Sequence, residues 1–309
     1  MAGELSAAEP VVVVKQRAAA LSIVSNSTLI LLKVAAGTIT GSVAILTEAV
    51  HSSIDLVASI VAFFSVRKAG EPADEDHRYG HEKIENVAAA IEGILILVGS
   101  GAIAFQAVHR LLNPSHLHTL GFGIAVVAVS IIVNLVVSST LGRRARDTDS
   151  PALEGDAAHL RTDALSSTAV LLGLGLVALT GATWIDPAVA LAVAAVILIA
   201  GVRILRGSSR ALVDHALPPD EVDEIRRAIE AVGPEGVVGY HELRTRRAGS
   251  RRYVDLHVQF RAGTTLEDAH RTAHELQDLI GERLRGADVL IHLEPEDRVR
   301  PGDELASVD

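Results

Sequence analysis

The chain of 309 residues contains no cysteine. Disulfides and thiolate metal sites are therefore excluded, and any site for a borderline metal must be built from histidine and carboxylate. Aromatics are scarce, with one Trp, three Tyr and five Phe, so the long apolar runs consist mostly of Ala, Val, Leu and Ile. No G-x-x-x-x-G-K-[ST] phosphate loop occurs, which argues against ATP as an energy source. Basic residues are outnumbered, and the net charge of −10 argues against a nucleic-acid partner. A secretory signal is not expected either. The apolar Val11–Val14 run is too short for one and is followed, not preceded, by Lys15 and Arg17.

What is present is apolar surface. About half of the residues are hydrophobic (49%), and the mean hydropathy is positive, as for a protein with several membrane spans. The ~20-residue criterion gives six spans, near Ala18–Ile39, Ser42–Val66, Ile84–Val108, Leu117–Leu141, Ala152–Leu179 and Pro187–Ile204. The fifth begins with Glu154, Asp156, His159, Arg161 and Asp163, and only 164–182 would pass as a span alone. Starting it after Pro151 carries these groups to membrane depth. Lys15 and Arg17 precede the first span. Arg67, Lys68, Arg78 and Lys83 lie between the second and third, and Arg143, Arg144 and Arg146 between the fourth and fifth. Arg206 and Arg210 follow the sixth, whereas Thr40-Gly41, Leu111–His116 and Gly181–Asp186 carry no Lys or Arg. The positive-inside rule then places both termini in the cytoplasm, and the expected location of this multi-pass protein is the plasma or inner membrane.

From Gly207 the composition turns polar. Pro219–Val232 has helical apolar spacing, and Val237–Arg247 and Arg251–Phe260 read as strands. A helix opens at Gly263-Thr264-Thr265 with Thr264 and Glu267 in capping-box spacing, and Ala287–Leu293 reads as a last strand. The order αββαβ predicts a ferredoxin-like α+β domain. The expected organisation is an N-terminal tail (1–16), a six-helix transmembrane domain (17–206), a cytoplasmic ferredoxin-like domain (207–295) and a flexible tail (296–309).

The chemistry-bearing pattern is His51-x-x-x-Asp55 in the second span, repeated as His159-x-x-x-Asp163 in the fifth. Residues four apart share one helix face. Ionisable groups at membrane depth mark an ion path more often than a structural glue, and two pairs of identical spacing weaken the glue reading further. Two imidazoles and two carboxylates are the ligand set of a tetrahedral site for a divalent cation such as zinc. Such ligands must be deprotonated to bind, so metal loading displaces protons and a metal–proton exchange is built into the set. Lys33, Glu48 and Glu92 are further intramembrane charges. Lys33 with Glu92 is one expected ion pair, and Glu48, three residues before His51, is a candidate outer ligand-supporting or proton-accepting group. The loop 74–81 holds Asp74, His77 and His81 at metal-ligand spacing, although such loops are usually just solvated. The C-terminal region holds His241, His257, His270, His292 and Glu294, which could be accidental.

Taken together, the H-S-x-x-D at His51–Asp55, the H-x-x-x-D at His159–Asp163 and the D-H-R-Y-G-H-E-K-I-E-N at Asp76–Asn86 resemble the cation diffusion facilitator family of zinc-type transporters. The strings His241-Glu242-Leu243-Arg244 and Ile291-His292-Leu293-Glu294-Pro295 fit it as well. The resemblance covers nearly the whole chain. It implies a homodimeric metal–proton antiporter rather than an enzyme, with zinc both as exported substrate and as a structural ion. His51, Asp55, His159 and Asp163 would form the transport site, and Asp74, His77 and His81 the loop site. His241, His257, His270, His292 and Glu294 would form a binuclear site clamping two cytoplasmic domains. Glu294 stands where a bacterial zinc transporter of the family has Asp. Lys83 matches the lysine of a charge interlock between subunits, with Asp214 as a candidate partner. Histidine at 51, where bacterial zinc/cadmium members have Asp, resembles an animal zinc-specific branch and should disfavour cadmium and manganese. The His-rich loop of that branch is missing from Leu141–Pro151. Manganese-type members carry Asp where His159 stands.

Other readings use the same residues. Iron(II) or cobalt(II) export would suit imidazole and carboxylate. A membrane metallohydrolase would need a general base, for which Glu48 is the only candidate. A metal-sensing scaffold would make the C-terminal domain the functional part.

Overall fold

The computed structural model describes residues 10–41, 43–113, 121–233 and 236–298. Part of the expected N-terminal tail, the second half of the Leu111–His116 loop, the start of the fourth expected span and most of the C-terminal tail lie outside these residues. The chain divides into two compact units, Met1–Ser209 and Arg210–Asp309.

The first unit is built from α1 (Val11–Thr40), α2 (Val43–Ala69), α3 (Lys83–Leu112), α4 (Gly121–Thr148), α5 (Pro151–Thr180) and α6 (Ile185–Leu212). All six are long and apolar enough to cross a membrane. At 27 to 30 residues each, they reach about 40–45 Å, beyond the ~30 Å hydrocarbon layer. Their ends therefore overrun the spans legible from hydropathy. Ser150 caps α5 by accepting the Leu153 N–H, with Pro151 at the first helical position, so α5 does begin with its polar turns.

Lipid tails are as apolar as the helices, so association relies on close packing of small residues. Ala18, Ala19, Ala62, Ala88, Ala89 and Ala152 are buried, while Leu31, Val50 and Leu179 face outward. At Gly155 of α5 a methyl group would stand 3.1 Å from Glu92 Cβ and 3.2 Å from the Ala89 backbone. Glycine there lets α3 and α5 touch at the level of Glu92.

The second unit has α7 (Pro219–Val232), β1 (Val237–Ala248), β2 (Arg251–Phe260), α8 (Leu266–Arg283) and β3 (Asp288–Pro295), in the αββαβ order. The sheet runs β1-β2-β3, with β1 antiparallel to β2, and β2 parallel to β3 across the α8 connection. Alternation on β2 puts Val254, Leu256, Val258 and Phe260 into one core with Ile225 and Ile229 of α7 and Leu276 and Ile280 of α8. His257 consequently faces the other side of the sheet. The α8 cap departs from expectation by one residue: Thr265, not Thr264, accepts the Asp268 N–H at 3.1 Å, and Glu267 is not the paired acid. Ala262-Gly263 form the turn before it, closed by the Thr264 N–H on the Arg261 carbonyl.

Ile229 is fully buried. Ile229→Ala should therefore lower the stability of the α+β unit by about 2–5 kcal/mol, read as lost amide-exchange protection along β2 in the full-length protein.

Candidate metal centre

His51 and Asp55 lie one turn apart on α2, as do His159 and Asp163 on α5, and the two pairs face each other. The ligand atoms of His51, Asp55 and Asp163 all lie within 4.8 Å of one another. His159 Nε2 stands 3.3 Å from Asp55 Oδ1 and 3.7 Å from Asp163 Oδ2. All four residues line a cavity of about 530 Å³. The cavity also reaches Arg110 and Asp186, an ion pair of 3.2 Å at the C-terminal end of α3 and the N-terminal start of α6. Toward the opposite end of the bundle lies a buried polar cluster. There Lys15 Nζ lies 2.7 Å from Glu85 Oε1, and the other Glu85 oxygen accepts the Ser150 hydroxyl, with all three residues buried.

The other intramembrane charges are paired differently from the sequence expectation. Lys33 meets Glu48 Oε1 at 3.1 Å and Ser52 Oγ at 2.7 Å, not Glu92. The reason is the tight α1–α2 connection: Gly41 adopts φ 64 and turns the chain, bringing positions 33 and 48 to one level. Glu48 is thereby committed to a lysine rather than to His51. Glu92 instead faces His159 Nδ1 at 3.3 Å. Asp156, passed over at the sequence level, is buried one turn before His159 and accepts from Ser22 Oγ (3.0 Å) and Ser59 Oγ (3.2 Å). Its three-residue offset from His159 was the available signal.

Between α2 and α3, Asp74 Oδ1 accepts the His77 N–H at 2.6 Å and lies 3.1 Å from His77 Nδ1, while Asp74 Oδ2 lies 3.2 Å from the buried His81 Nε2. The backbone bond from His77 holds the Asp74 carboxyl below its ordinary value.

On the open face of the C-terminal sheet, His241 pairs with His257 across β1–β2, and His257 with His292 across β2–β3. Glu294 Oε2 lies 2.8 Å from His241 Nε2 and Oε1 lies 3.0 Å from His257 Nδ1, whereas His292 is more distant at 3.8 Å. A bulge follows His241, with Glu242 at φ 49, and brings the Glu242 carboxylate 3.6 Å from His257 Nε2. His270 is not brought to this group within one chain. It lies on α8, in the layer on the sheet's other face, with its Nε2 3.1 Å from His274 Nε2. His274 was not singled out from the sequence, although its four-residue spacing was visible. Asp214, the candidate partner of Lys83, lies 3.4 Å from Arg246.

Residues 19–213 match the cation efflux transmembrane domain, and residues 217–296 match the cation efflux protein cytoplasmic domain. An uncharacterized transporter of Synechocystis sp. is 36% identical over 264 residues, covering 85% of each chain. The cation-efflux pump FieF of Yersinia enterocolitica is 35% identical over 280 residues, covering 90% of this chain and 92% of that one. The solved metal-bound C-terminal domain of the CzcD transporter from Thermotoga maritima is 25% identical and covers 27% of this chain and all of that one, with a TM-score of 0.24. Fold and relatives define a multi-pass membrane protein that transports cations. The chain belongs to the cation efflux, or cation diffusion facilitator, family.

The His241 hydrogen bond, helped by that from His257, holds Glu294 below its ordinary value of 4.5. A depressed carboxylate adds stability above the unfolded value, and this is lost as pH falls through the folded value. In metal-free protein, amide-exchange protection along β2 and β3, corrected for the intrinsic exchange rate at each pH, should fall over that acidic window, and Glu294→Gln should remove this fall.

Proposed function

We propose that this protein exports Zn²⁺ in exchange for protons through a tetrahedral site of His51, Asp55, His159 and Asp163. The observation that carries this reading is the convergence of these four side chains, from two helices, on one intramembrane cavity. Two neutral imidazoles favour a borderline ion, and two carboxylates offset its charge. Because each ligand gives up a proton on binding, protons arriving from the far side can displace the metal. With both termini in the cytoplasm of the plasma or inner membrane, the Arg110–Asp186 end of the cavity is extracytoplasmic. The buried Lys15–Glu85–Ser150 cluster then closes the cytoplasmic end, and alternating access opens it.

The protein works as a homodimer. The domains comprise the tail (1–16), the transmembrane domain (17–206), the cytoplasmic domain (207–295) and the C-terminal segment (296–309), of which 299–309 lie outside the described residues. His241, His257 and Glu294 hold a structural zinc ion on the open sheet face, with His292 and a contribution from His270 available across the dimer. Asp74, His77 and His81 form the loop site.

Proton flux in sealed proteoliposomes tests the reading, with zinc, cadmium, manganese, cobalt and iron(II) offered separately. Zinc should drive proton movement that drops in Asp163→Ala to the level of empty vesicles. Flux with iron or cobalt but not zinc would overturn the metal. No flux with any ion, from folded dimeric protein, would overturn antiport through this site.

A further inference from the structure

His159 has two ring nitrogens, and the structure turns them to different tasks. Nε2 faces Asp55 and Asp163 in the cavity, while Nδ1 faces away, 3.3 Å from Glu92 Oε2 on α3. Glu92 is completely buried and is not part of the cavity wall. Neither of its oxygens, nor His159 Nδ1, has an aligned hydrogen bond to another described group. A buried carboxylate left so costs several kcal/mol, and groups of this kind call for an explanation. Helix gluing does not supply one, because Lys33, the cation expected from the sequence to neutralise Glu92, is held by Glu48 and Ser52. The chain also makes room for the contact. Gly155, one turn before His159, is the notch in which the Glu92 stem sits.

We infer that Glu92 is the positioning residue of the transport site. It accepts the Nδ1–H of His159, and so fixes the ring orientation and the tautomer that presents the Nε2 lone pair to the ion. The pair stands at ion-pair distance, and a rotation of the imidazole aligns the hydrogen bond. This inference rests on His159 being a ligand. A carboxylate behind a ligating histidine orients the ring and makes it a better donor, and removing such partners usually weakens metal binding about 10–100-fold. Without Glu92, the ring is free to turn or to carry its proton on Nε2, where it blocks the metal.

The test uses full-length protein in nanodiscs, with the loop and C-terminal sites silenced by His77→Ala, His241→Ala and His257→Ala, and Co²⁺ as a visible probe of tetrahedral geometry. Glu92→Leu should weaken Co²⁺ binding about 10–100-fold and shift its ligand-field bands. Glu92→Gln, which keeps an acceptor oxygen, should recover most of the loss. Unchanged bands and affinity in folded Glu92→Leu would overturn the inference. If His159→Ala also leaves the bands unchanged, the four-ligand reading fails instead. Should Glu92→Leu not fold, ¹⁵N-histidine spectra of the zinc-loaded background protein decide the matter. The His159 signal, identified by its loss in His159→Ala, should show a hydrogen-bonded Nδ1–H, and zinc on Nδ1 would overturn the inference.

Discussion

An ionisable side chain in the hydrocarbon interior costs about 2.5–3.5 kcal/mol on insertion scales unless it finds a partner or water. That constraint orders the whole helical unit. Lys33 finds Glu48 and Ser52, Lys15 finds Glu85, and Asp156 finds two serines. Four further ionisable groups, His51, Asp55, His159 and Asp163, converge at the cavity, where His159 Nε2 stands 3.3 Å from Asp55 Oδ1. The satisfied charges tie α1 to α2 and α3, and α1 and α2 to α5.

Small residues make this arrangement possible. Side chains such as Leu31 and Leu179 point outward, and alanines and glycines line the helix contacts. Gly155 is the clearest case, since it admits Glu92 one turn before His159 on α5. In the C-terminal unit the solution is different. Its sheet has one face sealed by α7 and α8 and the other free, and the period of two along β1 and β2 puts His241 and His257 on the free face. The bulge at Glu242 adds a second carboxylate beside them, after that of Glu294.

Legibility followed the range of the interaction. Two helical repeats of His-x-x-x-Asp identify the four residues of the cavity because spacing along one helix is a local property. The αββαβ order was legible for the same reason. Which charge meets which was not. Lys33 was expected opposite Glu92, but the α1–α2 turn delivers it to Glu48. The α8 cap was expected at Thr264 because both threonines have an acid three residues on, and only the backbone conformation of Thr265 separates them.

The sequence by itself determined six spans, the absence of thiolate ligands, and the residue types available for a cation. It could do so because hydropathy and helical period are carried by neighbours in the chain. The tertiary structure alone decided that α2 and α5 face each other and that Glu92 stands behind His159. It also decided that His270 sits apart from His241 and His257 within one chain. These depend on contacts between residues distant in sequence, set by which small residues let which helices approach, and no local pattern records them.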